Sequence, residues 1–246
     1  SYMHGNQEKS RVFPETARIT MRPQFGVSLV VPVYNSAAFL PGTIAALTDY
    51  LAREFTSYEL IMVDDASVDG SLSLMRAAEG KNKNIRIMVH EQNLGQQQSL
   101  ADGIFAARNE IVLTVDADLP CELKEFRRIA ELAYGGKELV FTRRRAQVHR
   151  AWWRRLGSKV ANVIFRLLYP FEVQDIGCGF FAMRPSLIQR LQRLEKPIGL
   201  IKLDLLLVAQ SYVEVDIQNY TPVTSSYSFF KLLKLFWLML TYRFRQ

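Results

Sequence analysis

The sequence predicts an α/β protein: a mostly parallel central sheet with helices on both faces. Three observations predict it. Apolar strand-like runs alternate with helix-like stretches through the first half of the chain. The leading runs are continuously apolar, as strands covered on both faces require. Polar side chains able to do chemistry gather where those runs stop, the edge at which parallel sheets bind ligands. With 246 residues, 49% of them apolar, the chain can bury a sizeable core as one large domain or two tightly joined halves.

Residues 1–23 read as a flexible arm, with no signal peptide. "GVSLVVPV" (26–33) suits a central parallel strand. A helix is expected from about Ser36 to Phe55, with Ser36 as its cap. "YELIMVD" (58–64) is the second strand, and Ser67 and Asp69 are expected to open the second helix. "IRIMVH" (85–90) is the third strand, 96–108 a helix and "EIVLTVD" (110–116) the fourth strand. Such an order implies right-handed crossovers and a parallel sheet.

The strand ends then share one edge: Pro32, Tyr34 and Asn35 after the first, Asp64 and Asp65 after the second, Asp116 and Asp118 after the fourth. Asp69 reads as a cap or turn residue. Asp116 and Asp118 do not. Residues two apart on extended chain point the same way, and two carboxylates there repel unless a cation lies between them. A hard divalent ion such as Mg2+ or Mn2+ is the natural candidate. No G-x-G-x-x-G follows the first strand, which argues against a dinucleotide-binding enzyme. Cys121 and Cys178 lack metal-ligand spacing and are too few for a disulfide framework, so a reducing compartment is expected.

The net charge of +7 is segregated. Leu139 to Phe171 contains no Asp or Glu and eight bases: Arg143, Arg144, Arg145, Arg150, Arg154, Arg155, Lys159 and Arg166. From Ser225 to the end there are four more bases and no acid. Such a surface seeks an anionic partner. Nucleic acid is not expected, because it leaves the acidic strand ends unexplained and no nucleic-acid motif is present. "HRAWWRRLGSKVANVIFRLLYP" (149–170) and "SYSFFKLLKLFWLMLTYRFRQ" (226–246) set aromatic and aliphatic residues among bases. The apolar core of the second is short of the ~20 residues a spanning helix needs, so it is expected to lie in the membrane interface.

"VPVYN", "VDDASVDGS", "NLG", "VDADLP" and "DIGCGFFAM" stand in the order and at about the spacing seen in family 2 glycosyltransferases. Over roughly residues 26–195 the chain resembles the branch of dolichol-phosphate mannose synthases and bacterial polyprenyl-phosphate glycosyltransferases. The resemblance implies a GT-A fold, with a Rossmann-like sheet, and inverting transfer from a nucleotide-sugar. It divides the chain into the arm 1–23, a GT-A domain 24–224 and an amphipathic membrane helix 225–246. Within the domain, 24–118 is the nucleotide half and 119–224 the acceptor half.

Residue by residue, the resemblance implies that Pro32 and Tyr34 line the nucleotide base. Asp65, with Val63 beside it, contacts base or ribose. Asp116 and Asp118 bind the metal, and Ala117 passes close to the donor. Arg144, or its neighbour Arg143 or Arg145 if the register slips by one, binds phosphate. Asp175 stands near the acceptor. The chain departs from the family pattern at Pro120, where many relatives place a metal-binding Gln, at Phe181, where they place a base, and at Gln96, where many bacterial relatives have Lys. Glu122, water or the donor would then complete the metal shell.

The expected chemistry is metal-dependent transfer of a sugar from a UDP- or GDP-sugar to a polyprenyl phosphate, undecaprenyl or dolichyl. The expected location is peripheral, at the cytoplasmic face of the membrane, with a possible homo-oligomer or membrane partner subunit. Asp116 and Asp118 would hold the ion that stabilises the departing nucleotide. A phosphate acceptor is already anionic and needs arginines more than a base. A hydroxyl acceptor would need one, and Asp175 is then the first candidate. His149, in the basic stretch, reads as a surface residue or a phosphate donor. Three alternatives stay open: a glycan or lipid hydroxyl acceptor, a non-catalytic family member that binds nucleotide or membrane, and a purely electrostatic membrane-binding protein.

Overall fold

The structure, a computed structural model, describes residues 22–144, 173–175, 177–194 and 199–217. Most of the expected arm 1–23, the basic stretch from Arg145 to Arg166 with His149, Trp152 and Trp153, and the expected helix 225–246 lie outside the described residues.

Seven strands form one sheet in the order β3-β2-β1-β4-β6-β5-β7. The first four are β1 (Val27–Val33), β2 (Tyr58–Asp64), β3 (Ile85–Val89) and β4 (Ile111–Thr114), and they are mutually parallel. β5 (Leu139–Arg144) and β7 (Tyr212–Ile217) pair in parallel, while the short β6 (Phe181–Met183) runs antiparallel between β4 and β5. The sheet is thus mostly parallel, as expected, with one reversed strand joining its halves.

Alternate residues of each central strand enter opposite cores, because side chains of extended chain alternate in direction. Val27, Leu29, Val31 and Val33 face one core, which they share with α1 (Leu40–Glu54), α2 (Ser71–Glu79) and α4 (Lys124–Tyr134). Val30, Ile61, Val63 and Val112 face the other, with α3 (Gln96–Ala106), α5 (Pro185–Gln192) and α6 (Ile201–Val208). Continuous apolar strands are the signature of this double cover.

Pro32 is tolerated inside β1 for a local reason. Val30 accepts from Val115 on the β4 side and Val33 from Asp65 on the β2 side. Alternation turns residue 32 towards β4, whose paired register ends at Val30 with Thr114, so no ladder partner is lost.

Two helix starts differ from expectation. α1 begins at Leu40, because the carbonyl of Ser36 accepts from Phe39 and Leu40 in a preceding turn and its hydroxyl bonds Tyr34 O. α2 begins at Ser71, and Asp69 instead ties Ala37 N and Ser71 N together across the carboxyl edge.

Ala66 adopts φ 57°, the left-handed region that favours glycine. Ala66→Gly should therefore stabilise the protein by about 1 kcal/mol, read as a Tm rise of about 2–4 °C.

Candidate active site

Strand ends and loops of the first half meet the β5–β6 region at the carboxyl edge of the sheet. Pro32 and Val63 are register partners across β1 and β2, both buried. Tyr34, just past β1, is 51% exposed and free to face a ligand. Asn35 takes φ 47° and crosses to the next loop, its side chain accepting from Val68 N and its amide donating to Ser67 Oγ. These bonds join the loops that follow β1 and β2 into one wall.

Asp116 and Asp118 follow β4, and Thr43 of α1 holds the turn between them by donating to Ala117 O at 2.8 Å. Leu119 takes φ 47°, which turns the chain sharply after the second carboxylate. Burial, and then the charge of Asp118, raise the pKa of Asp116 to about 6. Lys202, Arg144 and a 2.6 Å hydrogen bond from Gln96 Nε2 pull the other way. Like charge is thus concentrated here and only partly offset by the protein.

The segment behind Asp116 is built to receive it. A Cβ on Gly179 would stand 2.5 Å from both carboxylate oxygens of Asp116, so only glycine lets the acid lie against this backbone. Three side chains fix that segment: Thr114 Oγ1 donates to Gly179 O at 2.7 Å, Thr142 Oγ1 to Phe180 O at 2.5 Å, and Lys202 Nζ to Cys178 O. Lys202 lies buried on α6 with its ammonium over the rings of Phe141 and Phe181, 5.1 and 5.3 Å from their centroids. Burial, its largest influence, lowers its pKa, while Asp175 and Asp116 support the charge.

Arg144 and Asp175, named separately from the sequence, form a bidentate pair. Nε donates to Oδ2 at 2.7 Å, Nη2 to Oδ1 at 2.6 Å, and the Arg144 amide adds a third bond at 3.1 Å. Burial works against the Asp175 carboxylate, but Arg144 outweighs it and holds its pKa below the usual range. Asp175 is therefore ill suited to the base role considered for it and well suited to orienting Arg144. The register question also has a physical answer: Arg143 pairs with Asp216 instead, and Arg145 lies outside the described residues.

Asp65 is buried and accepts from His90 and from two backbone amides of the β3–α3 loop, Leu94 N and Gly95 N, both at 2.8 Å. Its carboxylate holds a loop at the carboxyl edge of the sheet. Sequence reasoning missed His90, Gly179 and Lys202. His90 had a signal, since it ends the apolar run of β3 at the same edge as Asp64 and Asp116. Gly179 and Lys202 act through contacts distant in the chain, which no local pattern announces.

The donor set fits a hard divalent ion. Asp116 and Asp118 stand close enough for the charge of one to raise the pKa of the other, and carboxylate oxygens are the ligands such an ion prefers. Among the described residues no three or more of His, Cys, Asp and Glu cluster to hold a metal. Glu122, one expected helper, bonds Lys124 Nζ at 2.5 Å, and Pro120 offers no side-chain oxygen. A bound ion would draw its remaining ligands from the donor and water.

The model of "Glycosyl transferase family 2" matches residues 28–192, about two thirds of the chain. The undecaprenyl-phosphate 4-deoxy-4-formamido-L-arabinose transferase of Aeromonas hydrophila subsp. hydrophila is 34% identical over 165 residues, covering 66% of this chain and 50% of the relative. The protein of the same name from Pectobacterium atrosepticum is 32% identical over 218 residues, covering 87% of this chain and 66% of the relative. The chain thus spans about half to two thirds of the length of these curated relatives. Among solved structures, glucosyl-3-phosphoglycerate synthase from Mycobacterium tuberculosis, crystallised with Mn2+, UDP and glucosyl-3-phosphoglycerate, superposes with a TM-score of 0.65 at 19% identity. That match covers 89% of this chain and 80% of the other, and at such identity it speaks for the GT-A fold alone. A family model that spans most of the sheet and both halves of the site, joined by relatives above 30% identity, makes the chain a member of glycosyl transferase family 2.

Proposed function

We propose that the protein is an inverting, metal-dependent glycosyltransferase that moves a sugar from a UDP- or GDP-sugar to a polyprenyl phosphate at the cytoplasmic membrane face. The observation that carries this reading is the carboxyl edge itself. Asp116 and Asp118 stand where a donor diphosphate would bind, and the Arg144–Asp175 pair forms the adjoining half of the site. The names of the curated relatives support undecaprenyl phosphate as the acceptor lipid.

Pro32, Val63 and the exposed Tyr34 would seat the base, with Asp65 holding the loop beside it. Asp116 and Asp118 would hold Mg2+ or Mn2+, which supplies positive charge for the departing diphosphate. Ala117, between them, leaves room for the sugar. A phosphate oxygen of the acceptor attacks the anomeric carbon from the face opposite the diphosphate. The new carbon–oxygen bond forms as the old one breaks, and the nucleoside diphosphate leaves with the bonding electrons. Arg144, aimed by Asp175, would position and screen the acceptor phosphate. An acceptor already anionic needs no proton removed, and the lowered pKa of Asp175 favours that acceptor over a hydroxyl.

The bases and aromatics of 149–170 and 225–246 would bring the site to the lipid surface. No described helix is long and apolar enough to cross a membrane. The test is nucleotide release from a panel of UDP- and GDP-sugars, with Mn2+ or Mg2+, with and without undecaprenyl or dolichyl phosphate. Release that needs both metal and lipid phosphate is expected. Release to a hydroxyl acceptor alone would overturn the acceptor assignment. Nucleotide binding without any release would move the protein to the non-catalytic class.

A further inference from the structure

His90 follows β3 at the carboxyl edge, and both of its ring nitrogens meet carboxylates. Nδ1 lies 2.9 Å from Asp65 Oδ1 and Nε2 lies 3.0 Å from Asp102 Oδ2. Its side chain is 10% exposed. Ionised carboxylates only accept, so both ring nitrogens must donate, and the ring that satisfies both is the imidazolium. Asp65 from the end of β2 and Asp102 from α3 are the charged groups bonded to it. Gln98 Nε2 caps the other oxygen of Asp102 at 2.9 Å, which keeps that carboxylate in place.

The consequence runs through Asp65. Its oxygens also accept from Leu94 N and Gly95 N, and Asn93 Nδ2 bonds its carbonyl. Gly95 takes φ 91°, and the next residue, Gln96, reaches Asp116. One connected set of bonds thus runs from α3 through the ring and the loop to the acidic centre. We propose that His90 is a positioning residue for donor binding. Held between Asp102 and Asp65, it fixes the β3–α3 loop that borders the nucleotide edge and carries Gln96 to Asp116. This rests on the donor reading given above.

Burial works against the charged ring, but the two carboxylates outweigh it and raise its pKa above the ordinary 6.5. A raised histidine pKa means the pin is complete below the ordinary value and is lost as pH rises through the raised one. A neutral ring would leave one carboxylate facing a lone pair, and the loop would loosen.

The experiment measures donor KM and kcat against pH for the wild type, His90→Gln and Asp102→Asn, and follows the histidine ring signals by NMR. His90→Gln is expected to raise donor KM about tenfold, the loss of a charge-assisted hydrogen bond, with kcat changed by no more than about twofold. Wild-type KM should climb as pH rises through the raised pKa of His90, on the alkaline side of any change that protonation of Asp116 near 6 brings. In Asp102→Asn, where one carboxylate remains, the climb should begin at lower pH and the His90 signal should titrate lower. An unchanged KM in His90→Gln, or a wild-type ring that titrates at or below the ordinary value, would overturn the proposal. Should His90→Gln fail to fold, Asp102→Asn carries the test. If the wild type neither binds nor turns over any donor, the donor reading fails. The shift of the ring signal in Asp102→Asn then still upholds the pin, and no shift overturns it.

Discussion

Asp118→Asn is expected to lower metal-supported sugar transfer by at least about a hundredfold, because the charge stabilisation a metal gives a leaving diphosphate is worth several kcal/mol. The protein should nevertheless stay folded. Asn has the size of Asp, and the exchange removes one of two like charges. Asp118 is among the influences that raise the pKa of Asp116, second after burial, so the metal-free site loses a repulsion when it goes. The two readouts should therefore part. Without metal, the variant's Tm at neutral pH should equal or exceed that of the wild type. With Mn2+, Tm should rise in the wild type and much less in the variant, since a ligand stabilises by its affinity for the native state. Equal Mn2+ stabilisation in both proteins would remove Asp118 from the metal site. A variant that loses activity and Tm together would show that the residue serves the fold first.

The first half of this architecture was legible because its strands are apolar without alternation and its helices carry turn residues before them. "YELIMVD" is β2 residue for residue, and the expected β1, β3 and β4 are shifted by no more than two residues. The helix starts were less legible. Ser36 and Ser67 have the chemistry of caps, but tertiary bonds between the two loops set where α1 and α2 begin. β6 was beyond reach of pattern, since three residues carry no period and nothing local sets their direction. The same division holds at the site. Asp116 and Asp118 announce themselves by two like charges at a strand end. The pairing of Arg144 with Asp175 joins two positions that sequence reasoning named for separate reasons. Gly179 in "DIGCGFFAM" gives no local sign that its missing side chain serves Asp116.

Gly179→Ala tests that last contact and should have the second large effect. A Cβ there would meet Asp116 at 2.5 Å from each oxygen and 2.7 Å from Cγ, well inside van der Waals contact. One partner must move, and the segment at 179 is held by Thr114, Thr142 and Lys202 while Asp116 sits in the turn after β4 that Thr43 holds through Ala117 O. Overpacking of this kind costs about 1–3 kcal/mol of stability. The displaced carboxylate should also bind Mn2+ more weakly and reduce turnover by about tenfold or more, since a shift of ~1 Å is enough to spoil a reacting geometry. Gly177→Ala is the matched control in the same loop. Its Cβ would lie 3.4 Å from Arg144 Nη2 and 3.8 Å from Asp175 Oδ1, at ordinary contact distance. Activity and Mn2+ affinity near wild type in Gly177→Ala, with both reduced in Gly179→Ala, would tie the loss to the Asp116 contact. Equal losses in the two would mean that the loop needs glycine for its flexibility and that the cradle behind Asp116 is not what the reaction depends on.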